Sequence, residues 1–330
     1  MGVEPSVSFP SRVRLVRRPV VSTDIVDNPI KKVVLIHNGI EQWFNSFWEA
    51  AQAAVMGDQI IIKSNLTETQ PVEFNKMIGL TIRGEGRVCV TWQGSGFWIT
   101  FTSDAWYNSF NNKIENLIIY CNGSNSGIKI SDSFNTTLQD ISIFTPNIGV
   151  EIASINNFCE ATNLANVYVR APTTAAVKFT KYGGTGSFAL TRLDHVLIAL
   201  TKPNSKGVVF DGNAVADRSI LDTVQVWITS EGDNIANNAV GMVLDGGMDR
   251  ASLRNICFEI PDGTSTSISG VIGLQFGQNF SGNICFLQEP VFYAGVGLSF
   301  YKKIDNPYNK QYTCYARDVL ATAPVKIRRT

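Results

Sequence analysis

Residues 193–210 read LDHVLIALTKPNSKGVVF, and residues 221–244 read LDTVQVWITSEGDNIANNAVGMVL. Each opens on a leucine, two polar residues and an apolar alternation, and each closes on a glycine followed by a short apolar triplet. Both phrases recur outward from this pair. The opening phrase reads IENLII at 114, LQDISI at 138, LANVYV at 164, LRNICF at 253 and SGNICF at 281. The closing phrase reads GIKI at 127, GVEI at 149, AVKF at 176, GLQF at 273 and GLSF at 297. A fixed phrase with variable spacing marks a repeat architecture, and period-2 apolar patterning makes each phrase a short strand. Two strands per repeat and no helical period predict an all-β solenoid, each repeat forming one coil about 4.8 Å from the next. The third position of the opening phrase is polar in every repeat: Asn116, Asp140, Asn166, His195, Thr223, Asn255 and Asn283. It is expected to form a corner column, its amides bonding along the axis.

The start of the chain is different. Residues 41–55, EQWFNSFWEAAQAAV, carry apolar residues at helical spacing and predict a helix that plugs the end of the coil stack. A strand, Gln59–Ile62, and the run GLTIRGEG at 79–86 follow. This opening resembles the right-handed parallel β-helix superfamily of pectate lyases, pectin esterases, polygalacturonases and viral tailspikes. The resemblance covers about residues 37–317, read as the capped β-helix; residues 1–36, which carry no repeat, read as an N-terminal arm, and residues 318–330 as a basic C-terminal tail. It carries little chemistry, because this architecture hosts enzymes and inert spikes alike.

The chain has 330 residues, with 28 Lys and Arg against 28 Asp and Glu. Zero net charge argues against a dedicated nucleic-acid binder. The apolar runs are too short for a membrane span, and the opening MGVEPSVSFPSRVRLVRRPV lacks the apolar region of a secretory signal. Residues 1–32 sum to +3 and the last five residues to +3, so residues 33–325 sum to −6. Basic ends on an acidic body suggest docking on partners or on a neighbouring copy.

Stacking turns positions into columns. The outward position of the opening-phrase strand is Ile118, Ser142, Tyr168, Leu197, Gln225, Cys257 and Cys285, a largely apolar stripe that reads as a subunit interface through Ile118, Tyr168 and Leu197. The repeated NICF stacks Cys257 on Cys285, as a disulfide or as two thiols side by side. Trp92, Trp98, Trp106 and Tyr107 cluster in a segment of low charge and are candidate glycan platforms. Asp211 and Asp245 follow corresponding strands, with Asp217 and Asp249 in the turns behind them. Paired carboxylates of this kind perform acid–base work in glycoside hydrolysis, but Asp-Gly after a strand is also an ordinary turn. An Asp-His dipeptide, Asp194-His195, falls at the polar corner. The catalytic phrases of the polygalacturonases are absent. No metal site and no cofactor are expected; Ca²⁺ enters as an option only if the chemistry is lyase-like.

These readings predict a spike-like attachment protein of a viral particle, made in the host cytoplasm and displayed on the virion surface. It would be a homotrimer that binds a host glycan or receptor and grips other virion proteins through its arm and tail. The rival is a carbohydrate-active enzyme, a polysaccharide lyase or glycoside hydrolase.

Overall fold

The computed structural model describes residues 31–232, 234–260, 268–281, 284–286, 291–292, 297–300 and 328–329. The described chain is all-β, a parallel solenoid of about 7 turns. Each coil contributes a long strand to one sheet and a short strand to a second. Long strands include Lys113–Tyr120, Thr137–Phe144, Asn163–Arg170, Arg192–Leu200, Ile220–Ile228 and Ala251–Glu259. The short ones include Ser126–Ser131, Ile148–Ser154, Ala175–Lys181, Lys206–Phe210, Val240–Leu244 and Ile272–Phe276.

The register follows the repeat. Ile114, Leu138, Leu164, Leu193, Leu221 and Leu253 are successive partners in the long-strand sheet. Ile128, Val150, Val177, Val208, Met242 and Leu274 are successive partners in the other. All of these are buried, so the core is a set of axial columns. Phe179 and Phe210 stack at 4.1 Å with their rings nearly parallel, and Phe74 stacks on Phe101 at 5.3 Å.

The polar corner is a backbone device. Asn116, Asp140, Asn166, His195, Thr223 and Asn255 all have φ between 54° and 56°. One left-handed residue bends each long strand, and Asn, Asp and His tolerate that conformation best among residues with a Cβ. The expected amide ladder is only partial. Asn166 Nδ2 donates to Asp140 Oδ1 at 2.6 Å, whereas Asn116 donates to the carbonyls of Gly84 and Gly86. Asn283 lies outside the described residues. A second left-handed column precedes each long strand: Gly79, Asn111, Asn135, Ala161, Leu190, Arg218 and Arg250. Its N–H groups bond to the next coil, as from Asn135 to the Glu160 carbonyl at 3.1 Å and from Leu190 to that of Asp217 at 3.0 Å.

The glycines that open the short-strand phrase have a steric cause. A Cβ on Gly127, Gly149 or Gly241 would lie 2.5–2.6 Å from the carbonyl oxygen of the next coil. Ala176 occupies the same column and breaks this pattern.

Three expectations need correction. The helix expected over 41–55 covers only Phe47–Ala53, and Ile40–Phe44 is a strand paired antiparallel with Val33–His37. Asn38-Gly39 between them has positive φ at both residues, the hairpin turn that this dipeptide favours. Residues 33–36, expected in the arm, are therefore part of the sheet, and Lys32 N bonds to Phe44 O beside them; residues 1–30 and the tail, apart from Arg328–Arg329, lie outside the described residues. Finally, Cys285 is not stacked on Cys257. Its partner is Ser252, and Cys257 faces Val291. In the final coil the repeated phrase therefore pairs out of its sequence alignment.

The helix is tied down by specific bonds. Ser46 Oγ accepts from Glu49 N at 3.1 Å, and Glu49 reaches back to Asn45 N. Buried Glu68 accepts from Phe47 N at 2.8 Å, and burial raises its pKa. Phe47 packs 5.0 Å from Trp98.

Candidate functional site

Two outer faces carry chemistry. On the short-strand sheet, the outward column runs Thr100, Lys129, Glu151, Lys178, Val209, Val243 and Gln275. Glu151 is buried although it points away from the core. Lys129 Nζ lies 3.2 Å from one of its oxygens, and Tyr182 Oη donates to the other at 2.8 Å. The same ammonium sits 4.8 Å from the centre of the Tyr182 ring. Burial, reinforced by the bond to Glu151, pushes the Tyr182 phenol pKa upward.

A groove of about 290 Å³ opens further along this face, lined by Lys206, Val209, Asp211, Val243, Asp245 and Gln275, among others. Asp211 N bonds to Phe179 O and Asp245 N to Phe210 O, both at 3.0 Å, so the aspartates hold the same place in consecutive coils. Their surroundings differ. Asp211 faces Lys178 at 3.5 Å. Asp245 accepts from Asn279 N at 2.9 Å and from Asn279 Nδ2 at 3.2 Å, and it is wedged between Gly212 and Gly277, where any Cβ would strike it. A carboxylate held this way braces a turn. Asp217 and Asp249 are elsewhere: Arg250 grips Asp217 with two bonds, at 2.7 and 3.2 Å, and also approaches Asp249 at 3.5 Å. The four aspartates thus form two places rather than one site.

The tryptophan candidates divide as well. Trp92 and Trp98 are core residues with essentially no exposed surface, so neither offers a face to a sugar. Their alternation in strands Thr81–Trp92 and Phe97–Thr102 points them inward. Tyr107 is exposed, and nothing is described of the Trp106 side chain.

The long-strand sheet carries the second face. Cys89, Ile118, Ser142, Tyr168, Leu197, Gln225 and Cys257 are successive partners, as the stripe required. A parallel column two residues on, Tyr120 then Phe144, was not read from the sequence, although the same alternation contains it. Tyr120 stacks on Phe144 at 5.0 Å, and Phe144 meets Tyr168 edge-on at 5.7 Å. Ile118, Phe144, Tyr168 and Leu197 are half-buried and Tyr120 is exposed. One insert bends back towards this face: the hairpin formed by Ser230–Glu231 and Asn234–Ile235 reaches Arg170 through Glu231 at 2.6 Å.

Beside the stripe lies a charged group. His195 Nδ1 is 2.6 Å from Asp194 Oδ1, and Arg192 is 3.0 Å from the other oxygen. Asp222, the coil partner of Asp194, is gripped by Arg254, which holds its carboxyl down to about 2. Among the described residues, no three His, Cys, Asp or Glu side chains form a group that could hold a metal ion, and no helix is long and apolar enough to cross a membrane. Comparison of the sequence with family models and with curated proteins gives no match.

Proposed function

We propose that this chain is a spike-like element of a viral particle: a right-handed β-helix, closed at its N-terminal end by the Phe47–Ala53 helix, that assembles as a homotrimer. Its task is attachment to a host glycan or receptor at the virion surface, with the arm and tail joining other virion proteins. The observation that carries this reading is the aromatic and aliphatic stripe of Ile118, Tyr120, Phe144, Tyr168 and Leu197 on an outer sheet face. Rings stacked along a solvent-facing sheet supply rigid contact area at small entropic cost, which suits association of rod-like subunits. The resemblance of the chain opening to the parallel β-helix superfamily, which includes viral tailspikes beside enzymes, is compatible with this reading and with its rival.

Light scattering coupled to size exclusion tests this. The expected result is a trimer that Leu197→Asp dissociates, because a carboxylate forced into an apolar contact loses its hydration without gaining a partner. Each dissociated subunit should keep its β-sheet circular dichroism. A wild-type monomer at micromolar concentration would sink the reading.

A second reading, a glycan-cleaving enzyme, draws support from the groove, where Asp211 and Asp245 recur one coil apart beside Lys206 and Gln275. The bonds that brace Asp245 weigh against it. New reducing ends from a panel of acidic and neutral polysaccharides, lost in Asp245→Asn, would favour the enzyme over the spike.

A further inference from the structure

The tip of the first hairpin, Asn38-Gly39, is one of two Asn-Gly dipeptides in the chain; the other is Asn122-Gly123. In Asn-Gly a main-chain nitrogen reaches the preceding side-chain carbonyl carbon with least hindrance, because glycine has no Cβ to block the approach. Both residues of the tip are exposed, and among the described residues no atom lies within 4 Å of where a Cβ on Gly39 would sit. Asn38 Nδ2 is 2.9 Å from His37 Nε2. The other ring nitrogen, His37 Nδ1, is 2.7 Å from Oδ1 of buried Asp58, whose Oδ2 accepts from Val55 N at 2.8 Å. An ionised carboxylate only accepts, so Nδ1 carries the hydrogen and Nε2 turns its lone pair to the Asn38 amide. A buried carboxylate that orients an imidazole beside a reacting group is the arrangement by which histidine moves protons.

We propose that this tip is a self-modification site, at which His37 promotes the deamidation of Asn38. Gly39 N gives up its proton and attacks Asn38 Cγ; the Cγ–Nδ2 bond breaks, and the amide nitrogen leaves as ammonia. His37 Nε2 takes up the proton released by Gly39 and delivers it to Nδ2, so the imidazole ends as it began. Water then opens the succinimide, at Cγ to give aspartate or at the main-chain carbonyl to give isoaspartate. The sum is one water consumed and one ammonia released. Attack requires Asn38 to leave its left-handed conformation, and a hairpin tip is among the first places at which a sheet opens. Asp58 lies in another segment and keeps the imidazole in place while the tip moves. Asn122 has no such partner: its Oδ1 accepts from Ser124 N, Ser124 Oγ and Asn125 N, and no histidine bonds it among the described residues. Either product adds a negative charge to a hairpin that already carries Glu41, and isoaspartate adds a main-chain methylene that the His37–Ile40 pairing does not accommodate. The reaction needs only a single chain and is independent of the particle reading.

Peptide mapping by mass spectrometry on the full chain, aged at physiological temperature and pH, tests this. Asn38 should convert about tenfold faster than Asn122, which serves as the internal control. Isoaspartate-specific enzymatic methylation should label the same Asn38 peptide. His37→Ala should slow Asn38 by about tenfold, and imidazole added to the buffer should restore part of the rate. His37→Gln, which can still hydrogen-bond Asp58 but cannot shuttle a proton, should slow it equally. A merely structural His37 predicts the opposite sign, because its removal frees the tip and speeds the reaction. Circular dichroism confirms that each variant is folded. An Asn38 that converts no faster than Asn122, or that converts as fast or faster in His37→Gln, would overturn the proposal.

Discussion

Thr223 is the least comfortable member of the bend column. It holds φ at 55°, where a branched Cβ crowds the backbone, while the same position in other coils holds Asn, Asp or His. Thr223→Asn should therefore raise stability by about 1 kcal/mol in urea titration. Unchanged or reduced stability would mean that the Thr223 hydroxyl, which bonds Asp222 at 3.1 Å, contributes more than the conformation costs. Asp222 itself gives a pH dependence. Its folded pKa of about 2 lies below the ordinary 3.8, so the stability it contributes is present above 3.8 and is lost as pH falls from there to about 2. Asp222→Asn should flatten that portion of the acid-unfolding curve while lowering stability at neutral pH. Equal slopes for both proteins would show that the Arg254 pair is not coupled to folding.

At the scale of the strand, the constraint is the approach of one coil to the next. A Cβ on Gly241 would collide with the Phe258 ring and lie 2.6 Å from the Gly273 carbonyl oxygen. Gly241→Ala should cost about 1–3 kcal/mol by chemical denaturation. A neutral result would place the coils farther apart there than the stacked strands imply. This level was legible in the sequence because alternation and glycine both report backbone geometry directly. Gly207 and Gly241 marked the short strand, and Leu193 and Leu221 marked the register of the long one. The hairpin Val33–Phe44 went unread because the apolar spacing of Trp43, Phe44, Phe47 and Trp48 satisfies a helix as well as a strand. Asn38-Gly39 was the signal that separates the two. Repetition itself misled at NICF, where identical letters sit in different registers.

The whole molecule shows why a fold can be read more fully than a site. Columns are properties of every coil and accumulate statistical weight, whereas a site needs side chains from few coils to converge. Asp211 and Asp245 did share a column, but whether each is free or braced depends on Lys178, Asn279, Gly212 and Gly277. No spacing in the sequence announces those contacts. Trp92 and Trp98 likewise depend on which way their two strands, Thr81–Trp92 and Phe97–Thr102, face, and a shift of one residue in either would have turned its tryptophan outward.

The long-strand bend uses one residue in each coil from Asn116 to Asn255, while the connections between the two sheets range from the short Thr145–Asn147 to the hairpin-bearing stretch after Ile228. Length variation is thus confined to particular corners. A lineage carrying this architecture could rewrite what those corners touch, by insertion or exchange, while the strands kept the same neighbours. Change at the surface and conservation of the coil stack are thereby assigned to separate parts of one perimeter, so the corners are free to diverge faster than the scaffold.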